Sequence, residues 1–192
     1  GNALRDKGDL EAATESYQKA LKTKPDYSEV HNNMGLVLEQ NGDLDAALES
    51  LKKAIIFNPY SSEININIGN ILKNQGKLDC ASEYYNTALR INPSSAPANL
   101  NLGVISKIKG DLEKSIEYCR KALTINPNYA EAHFNEALAL LLLEDFKSGW
   151  SKFEWRFNWE NNIGKALETT KPAWQPGERK RVLLWGEQGL GD

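Results

Sequence analysis

The 192-residue sequence predicts an all-α solenoid, and three observations carry that expectation. Gly8, Gly42, Gly76 and Gly110 recur at a step of 34 residues, as do Gly35, Gly69 and Gly103. Pro25, Pro59, Pro93 and Pro127 keep the same step, and so do Ala20, Ala54, Ala88 and Ala122. Within each period the apolar residues fall twice into the three-and-four spacing of a helix face. A strict period of this size marks stacked units, each burying its apolar face only against its neighbours. Such an array offers a long surface, so binding is the expected work.

The elements follow in order within one period. Met34 and Leu38 mark a first helix; Leu44, Ala47, Leu48, Leu51, Ala54 and Ile55 mark a second. Between them Asn41-Gly42-Asp43 is a turn: glycine takes the left-handed conformation that ends one helix, and the Asp carboxylate caps the next. Asp9, Asp111 and Asp145 repeat the cap, whereas Lys77 does not, so the third unit's second helix starts less well. Each second helix stops ahead of a proline, which drives the preceding residue out of the α region. Gly35 with Ala47, Gly69 with Ala81, and Gly103 with Ser115 let paired helices approach closely. Ala54, Ala88 and Ala122 admit the next unit.

These positions resemble the tetratricopeptide repeat (TPR): a small residue at position 8, Gly near 15, Ala at 20 and 27, Pro at 32. Tyr17, Leu51, Tyr85 and Cys119 fill its bulky position 24. The resemblance covers residues 1–157 as about five units, the first partial and the fifth degenerate. It implies a right-handed superhelix whose first helices line the concave face. Gly1 falls at position 8 of its unit, so sequence upstream is expected.

Composition narrows the partners. A net charge of −3, mixed in sign along the helices, gives no basic stripe for nucleic acid. No apolar run approaches the roughly 18 residues of a membrane span; Ala137 to Leu143 is too short. Cys80 and Cys119 stand at non-equivalent positions, Cys119 in place of a large core residue, which favours a reducing, cytoplasmic setting. His31 and His133 share a template position three units apart, too far for joint metal ligation, and read as packing residues. No metal or other cofactor is expected for this chain.

One polar residue keeps the period as faithfully as the core: Asn33, Asn67, Asn101 and Asn135. On the concave face these amides form a row, each with a donor and an acceptor that can pair with a peptide backbone without reading its sequence. Asn32, Asn70, Lys73 and Asn74 add polar groups nearby. A similar asparagine ladder marks the repeat domain of O-linked N-acetylglucosamine transferase, which these repeats resemble. Two readings stand: a groove for an extended peptide or protein ligand, or asparagines that serve helix geometry and solvation. Leu100, Val104, Ile108, Phe134, Leu138, Leu141 and Leu142 make the far end of the groove apolar, for a ligand or for the segment that follows. The TPR clamp for acidic chaperone tails is disfavoured. Asn32 and Leu36 stand where it has a Lys and an Asn, leaving Lys73 and Lys107 as the candidate cations.

The fifth unit begins in register with Ala130, Asn135 and Ala137 and then departs. Glu144 takes the turn-glycine position, Arg156 the close-packing alanine and Asn161 the terminal proline, so a further repeat should not stack there. All five tryptophans follow Ala137. Residues 158–179 read as a capping helix and linker, with Lys171-Pro172-Ala173-Trp174-Gln175-Pro176-Gly177 excluding a regular helix. Residues 180–192 read as the opening strand and glycine-rich loop of a truncated Rossmann-like domain, the strand being Arg181 to Trp185. The run Gly149 to Phe157, with Trp174 and Glu187 to Asp192, resembles bacterial TPR proteins that carry a C-terminal glycosyltransferase-like domain. The ending Leu190-Gly191-Asp192 is similar to the first loop of heptosyltransferase-type enzymes. By that resemblance Asp192 is the base for an acceptor hydroxyl, Gly189 and Gly191 let the loop approach substrate, and a sugar nucleotide would be the longer protein's donor. Helix capping is the other reading of Asp192. The whole is read as the substrate-recruiting arm of a glycosyltransferase, with a non-catalytic assembly scaffold as the alternative.

Overall fold

The computed structural model describes residues 1–158, which form an all-helical solenoid. The expected linker, strand and glycine loop, with Gly189, Gly191 and Asp192, lie outside the described residues. First helices are α1 (Asn2–Asp6), α3 (Ser28–Gln40), α5 (Ser62–Asn74), α7 (Ala96–Ile108) and α9 (Ala130–Leu142). Second helices are α2 (Leu10–Thr23), α4 (Leu44–Phe57), α6 (Leu78–Ile91), α8 (Leu112–Ile125) and α10 (Phe146–Phe153). A short 3₁₀ segment, Glu154–Asn158, follows. No described helix is long and apolar enough to cross a membrane.

The turn chemistry works as the sequence implies. Gly8, Gly42, Gly76 and Gly110 all adopt positive φ, between 75° and 82°. Asp9, Asp43, Asp111 and Asp145 each accept a hydrogen bond from the backbone N–H three residues on, at 3.1–3.2 Å. Lys77 makes no such bond at the start of α6.

Packing within a unit depends on the glycine of the first helix. A Cβ on Gly69 would lie 2.5 Å from the Tyr85 ring, and one on Gly35 would lie 2.7 Å from Leu51 Cγ. At Gly103 the neighbour is the smaller Cys119, whose Sγ would be 3.1 Å away. Glycine therefore makes room for the bulky position 24 as well as for the helix backbone. Ala13, Ala47, Ala81 and Ser115 are fully buried across the same contact.

Between units, Ala54, Ala88 and Ala122 are fully buried where the next first helix crosses. Within a unit the two helices are also hydrogen-bonded: Ser28 Oγ donates to the Ala54 carbonyl at 2.8 Å, and Ser62 Oγ to that of Ala88 at 3.1 Å. His31 Nε2 lies 2.7 Å from the Pro25 carbonyl oxygen and His133 Nε2 2.8 Å from that of Pro127. Their rings stack on Phe57 and Trp155, so both serve packing. Cys119 is buried and its thiol is pushed up to about 12, chiefly by burial, which keeps it protonated and inert at neutral pH; Cys80 is exposed.

The fifth unit changes this scheme residue by residue. Its second helix, α10, runs eight residues against fourteen in α2, α4, α6 and α8. Glu144 holds the turn-glycine conformation at φ 63° without being glycine. The small residues trade places: Ala137 stands on the first helix, and Gly149 on the second, where a Cβ would meet Leu141 at 2.6 Å. Arg156 lies in the 3₁₀ segment with its guanidinium over the Phe157 and Phe153 rings, at 3.9 and 4.7 Å. Glu136 takes the register position that Met34, Ile68 and Leu102 hold elsewhere. It is 1% exposed, with Arg120 Nε and Lys152 Nζ each 2.9 Å from its carboxylate.

Candidate functional site

Each first helix presents the same register positions to the inner face, because helix residues three and four apart share a side. First helices touch in series, α3 with α5, α5 with α7 and α7 with α9, so equivalent side chains from neighbouring units meet there. Asn33, Asn67, Asn101 and Asn135 are thereby brought into one row, with Asn70 and Lys73 beside it.

The row is knitted between units. Arg5 donates to Asn33 Oδ1 at 3.4 Å, Lys73 to Asn101 Oδ1 at 2.7 Å and Lys107 to Asn135 Oδ1 at 2.8 Å. All three pairs are separated by 28 residues, so each cation lies on the first helix of one unit and its asparagine on the first helix of the next. The second unit carries Glu39 where the first, third and fourth carry a cation. At that step Asn67 turns to Asn32 instead, donating to its Oδ1 at 2.9 Å, and Asn32 donates to Glu63 Oε1 at 3.2 Å. Glu39 accepts from Asn74 at 3.1 Å. Asn70 is held through its Oδ1, which accepts from the buried Tyr85 hydroxyl at 2.8 Å. Asn2 and Tyr17 make the same bond in the first unit, at 2.7 Å.

Charged residues line the groove: Glu39, Glu63, Lys73 and Glu131 along its middle and Lys107 farther along. Burial lowers the Lys73 and Lys107 ammonium groups from their ordinary range, and the nearby carboxylates oppose that shift. Burial likewise raises the Glu39 and Glu131 carboxyls, against the pull of Lys73 on both and of Lys107 on Glu131. Burial also lifts the Tyr129 hydroxyl to about 12. Mixed signs suit a ligand backbone or a polar side chain better than a run of like charge would.

Two hollows open along this stretch. One of about 330 Å³ is bordered by Glu39, Lys73, Asn70, Asn101 and Glu131. The other, of about 740 Å³, is bordered by Ser61, Glu63, Asn67 and Ser95. Ile66 and Pro97 border both. Farther along, Lys107, Ile108, Leu138, Leu141 and Leu142 frame an apolar hollow of about 450 Å³, which realises the expected polar-to-apolar gradient. Arg5, Glu39 and Glu131 were not among the residues the sequence singled out. The constant 28-residue offset between a basic residue and an asparagine is the signal that points to Arg5, and its break at Glu39 points to the second unit.

Comparison with known proteins accords with this architecture. The TPR repeat profile matches residues 1–42 and 69–107, and the tetratricopeptide repeat profile matches 28–61 and 96–129. No curated protein matches the chain. Among solved structures, MamA is 26% identical with a TM-score of 0.69, over 81% of this chain and 91% of that one. PilF of Pseudomonas aeruginosa is 21% identical with a TM-score of 0.75, over 81% of this chain and 71% of its own. YrrB, described as a TPR protein with an unusual peptide-binding site, is 18% identical with a TM-score of 0.62, over 82% of this chain and 81% of its own. With the profile matches running through four successive units and the glycine, alanine and proline positions packed as described, the solenoid is built of tetratricopeptide repeats.

Proposed function

We propose that the solenoid is a protein-binding scaffold whose concave face holds an extended peptide segment. The observation that carries this reading is the pair of hollows joined across Ile66 and Pro97, bordered by asparagine amides and by charges of both signs. Amides recognise a peptide backbone through the C=O and N–H that every residue has. YrrB, of similar fold, is a precedent for a peptide site in such an array. Replacing Asn67 and Asn101 together by alanine is expected to lower affinity for peptides selected on a synthetic array at least tenfold, with the melting temperature held. Unchanged affinity with a lowered melting temperature would assign the row to structure alone.

The finer reading concerns the longer protein. The resemblance of residues 149–157 and 187–192 to TPR-linked glycosyltransferases supports a recruiting arm for a sugar-transferring domain working in the cytoplasm. Asp192 would then be the base, and Gly189 and Gly191 its loop. A sugar nucleotide would bind only when the remainder of that domain is present. Calorimetry with nucleotide sugars on a chain extended past Asp192 tests this; no saturable binding would overturn it. A non-catalytic assembly scaffold is the second reading. It is favoured by Ile56 and Tyr60, exposed to 72% and 82%, which give the second unit an apolar outer corner.

A further inference from the structure

The four asparagines are not equivalent, and their neighbours fix which end of each amide is free. Ammonium and guanidinium groups only donate, and a carboxylate only accepts, so a contact to either determines where the amide oxygen lies. Arg5 fixes the oxygen of Asn33, whose nitrogen donates to Asn2 Oδ1 at 3.2 Å. Lys107 fixes the oxygen of Asn135, whose nitrogen donates to the Glu131 carbonyl at 2.9 Å. Both of these amides are used at each end, and both residues are buried, at 9% and 6% exposure.

The two central rungs differ. Lys73 fixes the oxygen of Asn101, and its NH₂ has no hydrogen-bond partner among the described residues. Glu63 orients Asn32, Asn32 orients Asn67, and the Asn67 oxygen is left without a partner among the described residues. Asn67 and Asn101 are only half-buried, and each borders one of the two joined hollows, whereas Asn33 and Asn135 border neither. Glu39 is the origin of the free oxygen at Asn67, whereas Asn101, its oxygen held by Lys73, differs from Asn33 and Asn135 in its unpartnered NH₂. A cation there would have taken the oxygen of Asn67, as happens one unit earlier and in both later units.

We infer that only Asn67 and Asn101 engage a ligand's backbone, Asn67 accepting from a peptide N–H and Asn101 donating to a peptide C=O, while Asn33 and Asn135 are struts between repeats. The ligand is an extended peptide crossing the Ile66–Pro97 ridge from one hollow to the other. This rests on the peptide-binding reading above and assigns it two rungs and the hydrogen-bonding role of each.

Asn→Asp substitution separates the roles, because aspartate keeps the oxygen that faces the cation and removes the NH₂. Asn101→Asp is expected to keep the fold, through an ion pair with Lys73, and to weaken binding of an array-selected peptide at least tenfold. Asn33→Asp, facing Arg5 in the same way, is expected to leave that affinity within twofold of wild type. Replacing single peptide amides of the probe by esters, which removes one N–H at a time, should weaken wild-type binding most at one position and have no effect there on Asn67→Ala. Equal losses for Asn33→Asp and Asn101→Asp, or none for either, would overturn the two-rung assignment and leave peptide binding standing. Failure of the wild-type protein to bind any array peptide would overturn both.

Discussion

The third and fifth units share a template and use it in opposite ways. In the third, Gly69 makes room for Tyr85, Ala81 and Ala88 vanish into helix contacts, and Gly76 closes the turn at φ 75°. In the fifth, the first helix stays in register through Asn135 and Ala137, while Glu136, Glu144 and Arg156 put charge at a core position, a turn and a stacking position. An unlimited solenoid needs small apolar residues at its stacking face. The fifth unit instead places arginine there, over two phenylalanine rings, and holds a buried carboxylate between Arg120 and Lys152. The difference teaches that a few substitutions at packing positions change how a unit's second helix is held while its first helix keeps the register.

The sharpest way to break this comparison is to strip Glu136 of its cations. Arg120→Ala with Lys152→Ala leaves a carboxylate 1% exposed without partners and is expected to cost about 3–5 kcal/mol in denaturant unfolding. Glu136→Leu, which restores the residue type of Leu102, should instead be neutral or stabilising. If the double variant unfolds like wild type, the carboxylate is not the element that holds α10.

A smaller effect is expected in the regular units. Gly69→Ala puts a Cβ 2.5 Å from the Tyr85 ring and is expected to cost about 1–3 kcal/mol, whereas at Gly103 the same change meets Cys119 Sγ at 3.1 Å and should cost visibly less. Thermal melts of the two variants side by side check the order; equal shifts would show that the bulky position 24 does not set the glycine requirement. The smallest change, Glu144→Gly, relieves a positive φ of 63° and should raise stability by about 1 kcal/mol. No gain there would mean that the fifth turn is not strained.

Much of this fold was legible before any coordinates. Period, turn glycines, Asp caps and close-packing alanines are local rules, repeated often enough that single exceptions do not hide them. Lys77, the unit without an Asp cap, was visible for the same reason. The site was legible only in part. Periodicity placed Asn33, Asn67, Asn101 and Asn135 on one face, yet could not show that Arg5, Lys73 and Lys107 reach across to the next unit. Those bonds depend on how far one helix is displaced from its neighbour, which superhelical packing decides. Glu136 was equally hidden, because its partners Arg120 and Lys152 come from two other helices. A pattern read one helix at a time sees only a polar residue at an apolar position.

The central claim is that the first helices of the regular units form the binding surface. Amide shift mapping of the ¹⁵N-labelled protein with an array-selected peptide tests this directly. The predicted result is a continuous band of perturbed amides along α5 and α7 around Asn67, Asn70, Asn101 and Val104, with α4, α6 and α8 unmoved. Perturbations centred instead on the outer corner at Ile56 and Tyr60 would contradict it.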